Sequence, residues 1–294
     1  MQRNNFNSPA RIRLIHLLRM VCKFVYRLLP ADICTRLACG RLGNIMGSWL
    51  APAGDSLYQC DFGIKLKLSR EDAILFGFAH MGRSNPFETE LVLKYLKTGN
   101  TLIQVGAYKE GWLSLVGSMV VGSKGIVRCF EPIPEYADSL RENICLNNRT
   151  NIVVEQLAVS DARGTTQCSV AGGNSSIVLT GKQGIVTVET ISLDEYVCAQ
   201  GIHTVDFLIV DAEGAEPLIL RGAQRTLMSV SFLLIEVCNE FLRQSGTTAH
   251  ELVQTIIDMK FHAYIITRKG LRPWGLDKVS ETYNMFFSKE DIAN

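Results

Sequence analysis

The sequence predicts an α/β fold, a mostly parallel sheet with helices on both faces and an antiparallel last strand. Three observations predict it. Short, almost wholly apolar runs such as Val205–Val210 and Phe232–Val237 read as strands buried on both faces. These runs alternate with helical segments through short connections, the pattern of repeated strand–helix–strand units. Finally, Thr101–Leu115 (TLIQVGAYKEGWLSL) runs from a strand through Gly106 and a polar turn into a helix opening at about Gly111. Such a turn lets backbone and the free N–H groups of a first helical turn approach an anionic or nucleotide-bearing ligand.

The elements follow in order. Residues 1–31 hold no acidic residue, and RIRLIHLLRMVCKFVYRLL after Ser8–Pro9 places Arg13, His16, Arg19, Lys23 and Arg27 on one helical stripe. Leu14, Leu17, Leu18, Val21, Phe24, Val25 and Leu28 take the opposite arc. A basic amphipathic helix of this kind lies on an anionic membrane surface through residues 11–29, docks on the main domain, or serves as a transit peptide. Residues 1–60 thus form a helical N-terminal extension, broken by glycines after residue 32, and residues 61–294 form the main domain. Asp61–Leu68 alternates as a half-exposed strand, and residues 69–97 are helical with a split near Asn85–Pro86. Then come a strand at Thr101–Val105, a strand at Gly125–Phe130, a helix at Pro134–Asn147 and a strand at Asn151–Val159. Thr165–Val170 and Ile185–Thr190 alternate like an added hairpin. Val205–Val210, a helix over Glu216–Leu227, and Phe232–Val237 follow. Thr248 with Glu251 reads as a capping box for Ala249–Met259, and Phe261–Thr267 and Thr282–Ser288 close the sheet.

Composition narrows the classes. With 47% hydrophobic and 20% charged residues the 294-residue chain is globular, and a net charge of +1 gives no pull toward nucleic acid. Nine cysteines without a C-x-x-C pair point to a reducing, cytoplasmic setting, with Cys129 and Cys145 as buried thiols, and no metal-ligand cluster is evident.

In open α/β sheets ligands bind outside the carboxyl ends of the strands. Those ends carry Gly106, Ala107 and Tyr108; then Glu131; then Ala158 and Asp161; then Asp211 and Glu213; then Glu236 and Asn239. The Glu131 carboxylate can accept hydrogen bonds from two ribose hydroxyls, or else it is an acid suited to the start of the next helix.

Taken together, QVGAYKEG, FEPIPEYADSLRENICLNN, LAVSD, GGNSSI, TISLDEY, DFLIVDAEGAEPLILRGA and LLIEV make the chain resemble the FkbM-type S-adenosylmethionine-dependent methyltransferases over roughly residues 87–267. The resemblance implies a Rossmann-like seven-stranded methyltransferase sheet and transfer of methyl to a hydroxyl of a sugar or glycoconjugate. It implies that Gly106 and Ala107 line the methionine end of the cofactor, Glu131 the ribose, Ala158 and Asp161 the adenine. Asp211 and Glu213 fall at the reaction face, and Ser175 and Ser176 match the family's serine pair. The chain departs from the family where Gln104 replaces an aspartate, Tyr108 an asparagine, and Ile209 a common lysine; Glu110 stands where a glycine is usual, unless a one-residue insertion aligns Gly111 there. Gln104 can still hydrogen-bond the amino-acid end of the cofactor, without the charge to pair with an ammonium.

A hydroxyl becomes a competent nucleophile when a positioned base accepts its proton, and Asp211 or Glu213 is the expected base. The basic N-terminus is compatible with a lipid-linked acceptor at the inner face of a membrane. Two other readings stay open: a binding scaffold that keeps the fold without turnover, motivated by Gln104, Tyr108 and Glu110, and a nicotinamide-dependent oxidoreductase, since Glu131 would serve either ribose.

Overall fold

The computed structural model describes residues 17–18, 20–21, 24, 51, 54–75, 82–170, 177, 184–267, 269–275 and 282–292. They fall into two compact units, residues 1–86 and 87–294. Most of the expected amphipathic helix lies outside the described residues, as do Ser175 and Ser176; Leu17, Leu18, Met20, Val21 and Phe24 are helical. Among the described residues no helix is long and apolar enough to cross a membrane.

The first unit carries an antiparallel pair, β1 (Ser56–Gln59) and β2 (Lys65–Leu68), followed by α1 (Arg70–Leu75). The strand expected over Asp61–Leu68 begins only at Lys65. Phe62 adopts φ +58°, which turns Asp61–Gly63 into a single 3-10 turn that closes the hairpin. Ser69 caps α1 by accepting the Asp72 N–H at 3.0 Å.

The second unit begins with α2 (Pro86–Tyr95) and β3 (Thr101–Val105). Then follow α3 (Trp112–Val121), β4 (Ile126–Phe130), α4 (Pro134–Leu146), β5 (Ile152–Glu155) and β6 (Ala158–Ser160). Next are β7 (Gly164–Ser169), β8 (Ile185–Ser192), α5 (Leu193–Ala199), β9 (Phe207–Val210), α6 (Glu216–Arg221) and α7 (Thr226–Ser229). The unit ends with β10 (Phe232–Cys238), α8 (Asn239–Gln244), α9 (Ala249–Asp258), β11 (His262–Thr267), β12 (Gly270–Pro273) and β13 (Thr282–Ser288).

The main sheet has eight strands in the order β12-β11-β13-β10-β9-β3-β4-β5. Strands β3, β4, β5, β9 and β10 run parallel, and β13 inserts antiparallel between β10 and β11. The seven expected strands are present, and β12 adds an antiparallel edge strand on β11 that was not foreseen. The core lies on both faces of the sheet, with all four residues of β9 buried. The chain steps outward from β3 to β5, then returns to pair β9 on the other side of β3. The switch point, where such sheets hold ligands, is therefore between β3 and β9.

The strand expected over Asn151–Val159 breaks at Gln156–Leu157. Its second half, β6, leaves the main sheet and joins the hairpin β7–β8 in a separate three-stranded sheet of order β6-β8-β7. The capping box of α9 forms as expected: Thr248 Oγ1 accepts the Glu251 N–H while the Glu251 carboxylate accepts the Thr248 N–H. Cys129 is buried, but Cys145 is exposed, one residue past the buried Ile144 and so turned off the packed face of α4.

Candidate active site

At the switch point β3 and β9 are tied together beyond their last paired residues. The Asp211 N–H donates to the Val105 carbonyl at 3.0 Å. Gly106 follows at φ +78°, and a Cβ there would lie 1.7 Å from the Asp211 carbonyl oxygen. Only glycine lets the first turn lie against the backbone of Asp211. Gly106 and Ala107 both donate to the Phe130 carbonyl, at 3.0 and 3.2 Å, which fixes the same turn to β4.

Gln104 is held beneath α3. Its Oε1 accepts the Ser114 hydroxyl at 2.6 Å and its Nε2 reaches the Gly106 carbonyl at 3.4 Å, while the Cys129 thiol donates to Ser114 Oγ. These contacts brace the underside of the turn. Burial pushes the Cys129 thiol up to about 12, so this network carries no charge near neutrality.

Glu131 ends β4 and is only 4% exposed. One carboxylate oxygen accepts the Tyr108 N–H at 3.0 Å and the other the Ile133 N–H at 3.0 Å. Burial pushes its pKa to about 7, against the opposing pull of those two amides and of the Lys109 charge. Tyr108 sits at φ +53°, its ring edge-on to Tyr136 with centroids 4.9 Å apart. It also packs against the apolar group formed by Ile133, Tyr136, Ala158, Cys168 and Val188. Ala158 is therefore buried on the same side as Tyr108. Asp161 is exposed in the turn after β6, where its carboxylate meets Arg221 at 3.3 Å and the Ser160 hydroxyl at 3.3 Å. The structure thus gathers Gly106, Ala107, Glu131 and Ala158 around Tyr108 and gives Asp161 a surface ion pair.

The other half of the site is acidic. Asp211, Glu213 and Glu236 each bring a carboxylate oxygen to within 4.8 Å of the other two. No metal site was expected from the sequence, and this grouping arises because β9 and β10 are neighbours with Glu236 in the strand beside Asp211. Glu213 reaches inward because it adopts φ +52°, followed by Gly214 at +100°. Burial raises the pKa of all three acids; the Glu88 charge raises Asp211 further, and the Asp211 charge raises both Glu213 and Glu236. A hydrogen bond from Glu236 favours ionised Asp211.

Two residues of this region were not singled out from the sequence. Glu216 is 1% exposed and folds back from the first turn of α6, so that its Oε1 accepts the Ala212 N–H at 3.1 Å and the Gly214 N–H at 3.3 Å. The signal was available in Glu216-Pro217, an acid and a proline at a helix start. Glu88 on α2 accepts the Asn284 amide at 2.9 Å and is raised by burial. Its spacing from Leu91 and Val92 places it on the buried face of the helix, which helical periodicity alone could have shown.

The chain matches the Methyltransferase FkbM domain over residues 104–265. It is 26% identical over 133 residues to the 2-O-methyltransferase NoeI of Sinorhizobium fredii, covering 39% of this chain and 54% of that protein. It is 30% identical over 121 residues to the hexuronic acid methyltransferase AglP of Haloferax volcanii, covering 40% of this chain and 49% of that protein. The chain spans about half the length of the curated relatives it matches. A solved FkbM methyltransferase from Methylobacillus flagellatus overlaps 90% of this chain and 62% of its own, with a TM-score of 0.43 and 14% identity. Because the matched domain takes in more than half of the 294 residues, from β3 through β11, the chain belongs to the FkbM methyltransferase family.

Proposed function

We propose that the chain transfers a methyl group from S-adenosylmethionine to a hydroxyl of a sugar or glycoconjugate. Family membership supports the reaction class, and two relatives whose names specify a 2-O-methyltransferase and a hexuronic acid methyltransferase support the acceptor class. When bound, the cofactor supplies an electrophilic methyl on a positively charged sulfur.

The residues suit such a ligand at both ends of the site. Each Glu131 oxygen uses one lone pair on a backbone amide and keeps another for a ribose hydroxyl. The acids at the ends of β9 and β10 complement the positive charge of a sulfonium and an ammonium. In this reading Gly106 and Ala107 line the methionine end, and Ala158 backs the base, with Tyr108 beside it. Asp211 or Glu213 accepts the proton of the acceptor hydroxyl as the methyl arrives. The observation that carries the proposal is that β9 delivers both carboxylates to the ligand end while burial lifts their pKa values toward the range useful to a base.

Incubation with labelled cofactor and a panel of glycoconjugates tests this. Asp211→Asn should lower turnover by about 10²–10⁴-fold while cofactor affinity stays near the wild-type value. Unchanged turnover removes Asp211 from the base role.

A second reading, a fold kept for binding without turnover, draws on one observation: Glu131 is 4% exposed, with Tyr108 bonded to it and packed on its apolar neighbours. In that reading the low exposure of Glu131 leaves little of the carboxylate for a nucleoside to reach. Calorimetry separates the two readings, since no heat of binding at millimolar S-adenosylmethionine would favour the scaffold.

A further inference from the structure

We infer that Asp211, Glu213 and Glu236 form a binding site for a hard divalent cation, which extends the transferase reading by giving the acceptor hydroxyl a second positive partner. Each of the three offers one carboxylate oxygen, and these oxygens all lie within 4.8 Å of one another. Oxygens on opposite sides of a Mg²⁺ ion are about 4.2 Å apart, and around Ca²⁺ about 4.6–5.2 Å apart, from their usual metal–oxygen distances. Oxygens gathered within 4.8 Å of one another are thus close enough to share one ion of this class. An all-oxygen donor set selects these ions over softer metals.

A second observation separates this group from an ordinary acidic patch. The Oε2 atom of Glu236 is buried and has no hydrogen-bond partner. The charged groups acting on Glu236 include Asp211, Glu213 and Glu216, all acidic. Three acids sharing protons would leave that buried oxygen without a partner, whereas a cation held by the cluster can satisfy it. The backbone supports the arrangement independently of any ion. Glu216 holds the loop after β9 through the Ala212 and Gly214 amides, which sets the inward turn of Glu213. Each acid gives one oxygen to the ion. A hydroxyl that coordinates the ion loses its proton more readily.

The competing source of positive charge is the cofactor itself, so the test is run without it. Mn²⁺ is titrated into the full chain in the absence of cofactor and acceptor, and the free ion is followed by electron paramagnetic resonance. The expected result is one bound Mn²⁺ per chain, displaced by Mg²⁺ or Ca²⁺. Its affinity should fall about tenfold or more in Asp211→Asn and in Glu236→Gln, while Asp258→Asn at the surface leaves it unchanged. Both site variants remove a like charge from the cluster, so the fold should be retained, and circular dichroism melts on the same samples verify it. Glu213→Gln gives a third measurement of the same loss. No bound Mn²⁺ at millimolar ion, equal affinity in all three variants, or binding seen only after S-adenosylmethionine is added would each overturn the inference. Binding without methyl transfer leaves this site standing and removes the transferase reading. Transfer that persists in chelator with no Mn²⁺ bound does the reverse.

Discussion

Replacing Gly106 by alanine tests the close approach on which the site geometry rests, and Gly99→Ala is its control. Both glycines have positive φ, +78° and +87°, but a Cβ at Gly99 meets nothing within 4 Å, whereas at Gly106 it falls 1.7 Å from the Asp211 carbonyl oxygen. Forcing an L-residue into the left-handed region costs about 1–2 kcal/mol. Stiffening the unfolded chain returns about 0.4–1 kcal/mol. Gly99→Ala should therefore lose roughly 1 kcal/mol. Gly106→Ala carries the same balance plus a collision that requires Asp211 to retreat by roughly 1.5 Å or more, which overpacking data put at a further 1–3 kcal/mol, approximately. Urea unfolding of the two variants reads the difference directly. If Asp211 is the base proposed above, activity should separate them more sharply, because a misplacement of about 1 Å at a reacting group can cost about 10²-fold in rate. Matching unfolding midpoints and matching turnover in the two variants would refute the idea that this glycine positions Asp211.

Two further expectations concern stability. The Glu131 carboxyl titrates at about 7 in the folded protein against an ordinary 4.5, so between these values the folded state binds the extra proton. Its contribution is complete below about pH 4.5 and is lost as pH rises through 7, a swing of about 3 kcal/mol. The urea midpoint should fall from pH 5 to pH 8, and the fall should be shallower in Glu131→Gln; an equal slope in the variant would remove Glu131 as its source. At the start of α9, Thr248→Ala deletes one side of the capping box and should lower stability by about 1 kcal/mol, with Thr248→Ser close to wild type. An alanine variant with the wild-type midpoint would show that the cap contributes nothing.

The parallel strands were legible because residues buried on both faces leave uninterrupted apolar runs, as Phe207–Val210 does. The α9 cap and the Gly106 turn were legible because each depends on residues close together in sequence. What the sequence hid depends on partners distant in the chain. Residues 151–159 read as a single strand, and only the pairing of Ala158 with Thr190 on β8 shows that they serve two sheets. Strand β12 is four residues long and borrows its regularity from β11. Asp211, Glu213 and Glu131 follow the ends of β9 and β4, a position that the sequence order of the strands already indicates. Their surroundings were not legible: Gln104 turns under α3 to Ser114, Asp161 pairs with Arg221, and Glu236 reaches Asp211 only because β10 lies beside β9.

One short staple has a wider consequence. The loop carrying Asp211 and Glu213 is tied by Glu216, a residue of the helix it leads into, through the amides of Ala212 and Gly214. The turn that carries Glu213 is thus tied within a few consecutive positions. Meanwhile the three-stranded sheet of β6, β7 and β8 hangs on a separate stretch of chain between Ala158 and Ser192. The residues that set Glu213 and the strands that bury Ala158 are thus separate stretches of chain, so a substitution in one can leave the local hydrogen bonds of the other intact.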